Sequence, residues 1–555
     1  MDITGKTYPI LDLSGWMVTQ YSDFLILDNS STLLENLVTK DNKLTTISGF
    51  VEYFDIGWNI QGGEFDGNTM SIISDNALHI INTDTMEDIV VENAVWVWID
   101  GVTKSKKENY NITLYKGYTI ITNSLKDRDT PLFSQWEPVR VFNSAGTLLN
   151  ITTYFSPYAP TVSLVHNGVL YLAGWPEWKE YSNNILNSKA ELPWKLEENL
   201  FDLSDFYISQ AYPVGDGTEI TSLFTNLDTV FVWKRNGIYG MTYAYNASTV
   251  PEALFYNINA KRVSSSGVLS QSSVINVNGL VYFYDWVSVR RLDQETGLSI
   301  QDRNISRNIQ NEMDCLQREQ NFASMSFEYP YLKLFLSSVG KINDTVFVLN
   351  VETNGWSIQN GINTQYVWSW YSTKNARMES YFAGVDGKIY HDNVGTSYNG
   401  EPITFHWISK AYAGGDYFTN KEFSNIMVYW EANGEIEVET RIVSEVYDLE
   451  SVWNTTTDWR KQKIWLSKEK VTGNSPVWKS TVANFSPSLC WVYKKFVIYP
   501  CQETVIGNKN YIEMKWSTYW EIYIEQIRYN SQAISDNKKM NQKTFVSKSF
   551  NDLTK

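Results

Sequence analysis

Two Asn-Gly dipeptides, Asn236-Gly237 and Asn278-Gly279, sit between short apolar runs in TVFVWKRNGIYGMTY and SVINVNGLVYFYDW. A two-residue type I′ turn needs positive φ at both central positions, which Asn and Gly tolerate, so each stretch reads as an antiparallel hairpin. Two such hairpins within residues 226–301 point to a repeated antiparallel β unit. Other turn glycines, Gly168, Gly355 and Gly387, also follow Asn or Asp but fall at unequal steps. A strict propeller repeat of roughly 40–50 residues then requires divergent blades or insertions.

The flanking sequence reads the same way. Between residues 70 and 175 the runs ALHIINTD, DIVVENAVWVWID, NITLYKGYTIITN, EPVRVFN, GTLLNITTYF and TVSLVHNGVLYLAGW are short, apolar or alternating, and separated by Asn, Asp, Gly and Ser. That is the pattern of strands joined by tight turns. FASMSFEYPYLKLFLSSV, NDTVFVLNVETNGWSI, TQYVWSWYS and MESYFAGVDGKIYHD continue it to residue 395. Two segments break the β pattern. STLLENLV reads as a helical turn capped by Ser30 or Ser31, and Ile305, Ile309, Met313 and Leu316 have the spacing of one short helix. Strands are expected in YSDFLIL and around Leu44–Tyr53. After residue 395 alternation returns at Ile436, Val438, Thr440 and Ile442, and approximately at Ile522, Ile524 and Ile527, as in a β-sandwich.

The expected division is therefore an N-terminal segment, 1–65, packing on the next domain or on a neighbouring subunit; a β-propeller-like domain, 66–395, with an inserted loop region at 176–215; a β-sandwich-like domain, 396–530; and a polar, Lys-rich tail, 531–555. The fold class is all-β. Aromatic residues make up 15% of the 555 residues, and they suit pleated, half-buried surfaces.

Charge and motifs narrow the function. A net charge of −16 disfavours adhesive binding of nucleic-acid phosphates. It is ordinary solubility charge, or the wall of a channel along which DNA slides without sticking. Cys315, Cys490 and Cys501 have neither a disulfide framework nor metal spacing, and His79, His166, His391 and His406 are scattered. His166, beside Asn167-Gly168, reads as an exposed strand end. The first residues lack a basic then apolar leader and no run resembles a membrane helix, so a soluble protein made in a cytoplasm is expected. The phosphate-loop, zincin, nucleophile-elbow and Cys-x-x-Cys patterns do not occur. Asp66-Gly67-Asn68 and Asp216-Gly217-Thr218 read as turns rather than cation loops. A glycosidase needs a pair of carboxylates in a cleft, and no pair stands out among the 62 Asp and Glu. Trp96 and Trp98, and Trp368 and Trp370, each share one strand face; they form either a stacking platform or aromatic core. The expectation is no catalytic residue, no cofactor and no metal. The charge run Lys195–Glu198 reads as a solvated face.

Three segments taken in order resemble the tail hub or nozzle proteins of short-tailed bacteriophages. They are SGWMVTQYSDFLILDNSSTLLENLVTKDNKLTTISGF; LFTNLDTVFVWKRNGIYGMT with VSSSGVLSQSSVINVNGLVYFYDWVSVRRLD; and EPITFHWISKAYAGGDYFTNKEFSNIMVYWEANGEIEVET. The chain departs from the family's paired N-terminal glycines, having Gly15-Trp16. The resemblance implies a distorted β-propeller with an attached β-domain, assembled in the bacterial host cytoplasm into a homohexameric ring of the virion tail. The ring would sit below portal and adaptor proteins, contact tail fibres or tip proteins, and retain and then pass genomic DNA without reading its sequence. Residues 176–215 are the expected channel gate. Two alternatives stand beside it: a tail protein that binds or degrades host polysaccharide, and a host-encoded propeller scaffold for protein interactions.

Overall fold

The computed structural model describes residues 6–10, 15–20, 27, 29–41, 43–57, 60–75, 77–95, 99–100, 103–104, 110–115, 117–123, 139–151, 160–166, 168–174, 184–187, 194–195, 200–201, 212–226, 229–245, 256–294, 300–316, 323–338, 342–372, 374–410, 412, 421–432, 437–445, 469–470, 492–498, 505–507, 509–518 and 522–533. The chain forms two units. One comprises Phe50–Asn354 and Gly361–Val394; the other comprises Met1–Gly49, Gly355–Asn360 and Gly395–Lys555. The expected 1–65 segment is thus divided at Gly49, because Phe50 begins a strand of the central unit.

Among the described residues the central unit contains seven small antiparallel sheets that follow one another along the chain. Besides them there is a two-stranded piece, Ile99–Asp100 with Thr103–Lys104, and a three-stranded one, Asn150–Ile151, Leu200–Phe201 and Trp194–Lys195, in which the first two pair in parallel. Of the seven, the first holds Ile60–Asp66, Thr69–Ser74, Ala77–Asn82 and Asp88–Val91. The second holds Tyr110–Tyr115, Tyr118–Asn123 and Arg140–Phe142. The third holds Val162–His166, Val169–Ala173, Asn184–Asn187 and Tyr212–Pro213. The fourth holds Ile220–Asn226, Thr229–Lys234, Gly237–Tyr245 and Tyr256–Ser264. The fifth holds Val274–Val277, Leu280–Tyr284, Val289–Gln294 and Ile300–Asn304. Ser324–Glu328, Tyr331–Leu336 and Thr345–Asn350 belong to the sixth. Thr364–Ser372, Arg377–Gly384 and Lys388–Asp392 belong to the seventh, which Phe50–Asp55 completes from the other end of the unit.

These sheets close on one another. The first strands of the first four sheets lie side by side in order, those of the fifth, sixth and seventh do likewise, and the seventh returns to the first. Between the fourth and fifth, Asn276 Nδ2 donates to Asn226 Oδ1 at 2.8 Å, and Asn226 Nδ2 donates to the Gly279 carbonyl at 3.0 Å. Small hydroxyls tie several other neighbours. Thr113 and Ser163 meet at 2.6 Å, Ser272 and Ser324 at 3.2 Å, and Ser326 and Ser380 at 2.8 Å. The unit is accordingly all-β and propeller-like. Second strands lie between two others and include runs that are apolar throughout, as in Leu280–Tyr284, whereas first strands such as Ser324–Glu328 mix polar and apolar residues. All five residues of Val169–Ala173 are buried, as are all five of Ser324–Glu328.

The hairpins at the two Asn-Gly sites differ. Val277 pairs with Leu280, so Asn278 and Gly279 form the two-residue loop, at φ +52° and +84°. In the other, Lys234 pairs with Gly237, so the loop is Arg235-Asn236, and Gly237 starts the next strand without positive φ. Burial fits this register: Trp233 and Lys234 are fully buried on opposite faces, and a one-residue slip would exchange those faces and carry the Lys234 ammonium away from Asp216. The first site also joins the second and third strands of its sheet, whereas the second joins the first and second. The two hairpins are not equivalent copies, and the repeat lies in the sheets, which begin at Ile60, Tyr110, Val162, Ile220, Val274, Ser324 and Thr364.

In the second unit the expected helical turn at STLLENLV is two strands, Ser31–Glu35 and Leu37–Lys40. Asn36, at φ +57°, breaks them apart. Its Nδ2 donates to the Thr404 carbonyl at 2.7 Å, and its Oδ1 accepts from the Asn360 amide at 2.9 Å and the Tyr398 hydroxyl at 3.0 Å. Those tertiary partners override a weak local helix preference. Ser31–Glu35 pairs with Glu401–Ser409, which pairs with Lys509–Thr518 and through it Glu437–Glu445. A further sheet brings Lys6–Ile10, Lys43–Thr46 and Lys421–Ala432 onto Ile522–Ala533. Gly15 lies so close to the Asn29 carbonyl that an added Cβ would stand 1.7 Å from its oxygen. Any other residue there would displace backbone. The expected strand around Leu44–Tyr53 is two, Lys43–Thr46 and Phe50–Asp55. The expected short helix is a 3-10 turn, Arg307–Ile309, continued by Gln310–Asp314, with Ile309 and Met313 buried. Residues 21–26, where YSDFLIL was expected to be a strand, lie outside the described residues, as does the tail beyond Ala533.

Candidate functional site

The richest concentration of buried polar chemistry lies where the cycle closes, between the sixth, seventh and first sheets. The strand Phe50–Asp55 reaches back to pair with Lys388–Asp392, and two aromatic groups fix it there. The Phe50 ring stands edge-on to Phe382 at 5.0 Å and to Tyr390 at 5.1 Å. Tyr53 meets Tyr381 edge-on at 5.0 Å. Tyr381 then sits inside a column of stacked rings, with His391 at 4.4 Å on one side and Trp370 at 4.6 Å on the other, and Phe65 a further 4.4 Å beyond Trp370. Phe65 belongs to the first sheet, so the column crosses from the seventh sheet to the first. Trp368 adds a hydrogen bond from its indole N–H to the Gly63 carbonyl at 2.7 Å. Lys388 Nζ lies 2.7 Å from Glu52 at the solvent side of the same strand pair.

Beside the column lies a cluster of charged groups. Lys333 Nζ contacts Asp392 Oδ2 at 2.6 Å, and both side chains are fully buried. Lys333 stands in the middle of the apolar strand YLKLFL, where only a buried counter-charge makes an ammonium tolerable. Glu328 accepts from the Ser380 amide at 3.3 Å and from Asn393 Nδ2 at 3.4 Å, with the Arg377 guanidinium 3.6 Å away. Burial, and then the charge of Asp392, push its carboxyl up to about 7, against those donors and Arg377. Glu379 accepts from the Tyr381 hydroxyl at 2.9 Å and from Asn375 Nδ2 at 2.5 Å. Burial, with Glu379 nearby, raises the Tyr381 hydroxyl far above its ordinary range. Burial holds His391 below its usual value, against the attraction of Glu379 and Asp392. Four buried polar atoms here, His391 Nε2, Asp392 Oδ1, Asn393 Oδ1 and Trp370 Nε1, have no hydrogen-bond partner. Arg377 is the exposed member, at 56% side-chain exposure. Chemically the cluster can exchange a proton at Glu328 near neutral pH, and it clamps the closing strands with charge.

Two further charge groups are more open. Lys234 Nζ is fully buried and contacts Asp216 at 3.1 Å, but that carboxylate is 38% exposed. Burial opposes ionisation of Asp216, yet the Thr218 hydroxyl and amide, with the Lys234 ammonium, hold it down at about 2. The expected turn at Asp216-Gly217-Thr218 thus also anchors a buried lysine. In the fifth sheet Arg290 bridges Asp285 and Asp302, while Arg291 and Arg303 both reach Asp293. These include the Arg and Asp of the VSVRRLD stretch.

The other residues singled out in the sequence fall as follows. Trp368 and Trp370 are core residues, 7% and 8% exposed, not a platform open to sugars or bases. Trp96 and Trp98 lie outside the described residues, as do Cys490, Cys501 and residues 196–198 of the charge run. Asp66 and Asn68 flank a turn closed by a bond from Asn68 to Asp84. His79 pairs with Asp88 at 2.7 Å and His406 with Glu35 at 3.4 Å. His166 is half-buried at its strand end, and Cys315 is exposed. Of residues 176–215, the described part includes Asn184–Asn187 and Tyr212–Pro213, outer strands of the third sheet. Among the described residues no group of His, Cys, Asp and Glu is placed to hold a metal ion, and no helix is long and apolar enough to cross a membrane. Sequence reasoning missed Lys333, Glu328 and Asp392. The available signal was a lysine inside an otherwise apolar strand.

No family model matches the chain, and no curated protein matches it. Among solved structures it is similar to a catalytically inactive virginiamycin B lyase from Staphylococcus aureus with quinupristin, at 11% identity over 62% of this chain and 98% of that one, TM-score 0.37. It is also similar to the computationally designed Ika8 protein, at 10% identity over 62% of this chain and 99% of that one, TM-score 0.34. Kluyveromyces lactis Hsv2 gives 12% identity over 54% of this chain and 84% of that one, TM-score 0.28. Likenesses this distant bear on neither activity nor partners.

Proposed function

We propose that this chain is a structural component of a short-tailed phage virion, a tail nozzle or hub subunit whose copies form a ring that retains and then releases genomic DNA. In this reading the central unit is a distorted β-propeller whose divergent blades are the seven sheets that begin at Ile60, Tyr110, Val162, Ile220, Val274, Ser324 and Thr364, closed by Phe50–Asp55, and the second unit is a β-sandwich-like domain. The observation that carries the reading is the order of the units. The propeller-like unit is inserted in a β unit made from both ends of the chain, since Lys6–Ile10 and Lys43–Thr46 both pair with Ile522–Ala533. That is the order of the three segments on which the resemblance to tail nozzle proteins rests. The closing cluster fits a load-bearing role better than turnover, because Asp392 neutralises Lys333 and the carboxylates of Glu328 and Glu379 are held by neighbouring amides and hydroxyls beneath packed aromatic rings.

The subunit itself is not an enzyme in this reading and uses no cofactor or metal. Its partners are further copies of itself in a homohexameric ring, portal or adaptor proteins above, fibres or tip proteins at the rim, and DNA in transit. The net charge of −16 keeps DNA from adhering to such a conduit. Residues 176–215 remain the proposed gate. Limited proteolysis of full and emptied particles tests that point, and equal protection in both would remove it.

Native mass spectrometry of the purified chain, alone and with neighbouring tail proteins, tests the main reading. A closed homo-oligomer is expected, and a strict monomer under both conditions refutes it. Activity on a host polysaccharide that is lost when one carboxylate is removed would instead establish the carbohydrate-directed alternative.

A further inference from the structure

The outer strands of the central unit are not alike. Outer strands of β-sheets are ordinarily protected from pairing by charge. The fifth sheet ends on a strand with Asp302 and Arg303, and the fourth on one with Lys261 and Arg262. The first sheet ends on Asp88–Val91, with Ile89 43% and Val90 47% exposed. Because neighbouring residues of a strand point to opposite faces, each face of this edge carries a part-exposed apolar side chain, Ile89 on the side of the Gly146 loop and Val90 on the other. Met86, 39% exposed, and Leu148, 46% exposed, extend the apolar area. The strand pairs with Ala77–Asn82 on one side, and among the described residues no strand pairs on the other. Exposed acidic residues surround it: Asp84, Glu87, Asp88 and Glu92.

We propose that this edge receives a fifth strand from a second copy of the chain, the segment Lys543–Phe550, KTFVSKSF. Three features match. Thr544, Phe545, Val546 and Phe550 favour strands and supply apolar side chains for Ile89, Val90 and Leu148. Lys538, Lys539, Lys543 and Lys548 are opposite in sign to the acidic residues around the edge. No proline or glycine interrupts residues 531–555, so none of them lacks the N–H that a ladder uses. Strand addition draws affinity from backbone hydrogen bonds and selectivity from alternate side chains. Donation from each copy to the next is a head-to-tail contact, the type that closes rings. The choice of a second copy as donor rests on the ring-forming reading above.

Two measurements test it. A fluorescent peptide of residues 537–552 is titrated into a variant ending at Ala533. Saturable binding is expected, weakened at least tenfold by Val90→Lys and by raised salt, and absent for a scrambled peptide of equal charge. Equal binding of the scrambled peptide, or none by the native one, overturns the proposal. Second, the variant ending at Ala533 is mixed with full-length Ile89→Lys/Val90→Lys. Each alone is expected to be monomeric and the mixture to give a one-to-one complex. A mixture that stays monomeric overturns donation between copies. If the variant ending at Ala533 still forms closed rings, the ring reading stands and strand donation falls. If the peptide binds the edge but the full chain forms no ring, docking stands and the ring reading falls.

Discussion

The junction between the fourth and fifth sheets and the junction that closes the cycle solve one packing problem with different means. At the first, the chain runs directly from Ser264 into the next sheet, and the ties include neutral side chains, Asn226 with Asn276 and Thr221 with the Val268 carbonyl. At the second, strands more than three hundred residues apart in sequence must meet, Phe50 against Asp392 and Asp55 against Lys388. Here the ties are a ring column of Phe65, Trp370, Tyr381 and His391, and a fully buried Lys333–Asp392 pair. Joining distant segments carries a loop-closure entropy cost that grows with length. The heavier packing and the charge pair sit where that cost is greatest.

The comparison breaks most easily at the two buried lysines. Lys333→Met leaves Asp392 charged and enclosed, and is expected to cost about 3–5 kcal/mol in urea unfolding. Lys234→Met leaves Asp216, which is 38% exposed and can return to water, so about 1 kcal/mol is expected. Equal losses would show that the closing pair is not special. Next come the packing ties. Tyr381→Ala removes the centre of the column and should cost about 3–5 kcal/mol, against about 1–2 kcal/mol for Asn226→Ala.

A pH series sharpens the same contrast. Glu328 has its carboxyl raised in the folded state to about 7, so its contribution is fully present below the unfolded value and is lost as pH rises through about 7. Glu328→Gln should therefore gain on the order of 2 kcal/mol over the parent at pH 8, and the gain should vanish near pH 4. A difference that does not change with pH would mean that Glu328 does not titrate across this window. The smallest effect separates the two hairpins. Gly279→Ala must hold φ near +84° and should cost about 1 kcal/mol, whereas Gly237→Ala, without positive φ, should cost less than about 0.5 kcal/mol.

Strand content was legible because central strands such as VLYLA and TVFVW are apolar throughout, flanked by turn residues. The repeat was harder to see, since turn glycines mark different strand junctions in different sheets: Gly168 and Gly279 follow first strands, Gly237 and Gly387 lie between second and third. STLLENLV carried a local helix pattern, and only the partners of Asn36, drawn from residues 358–404, make it two strands. The closing cluster was hidden for the same reason. Lys333 in an apolar strand is visible in sequence, but its partner Asp392 lies fifty-nine residues on, and nothing local joins them.

The most direct test of the proposed nozzle role is electron microscopy of the purified chain, alone or mixed with the tail proteins that the proposal names as neighbours. The account predicts closed rings with six-fold symmetry and a central bore wider than a DNA duplex, about 20 Å, with the propeller-like units making up the wall. Single dispersed subunits in every condition, or rings whose bore is too narrow for a duplex, would contradict it.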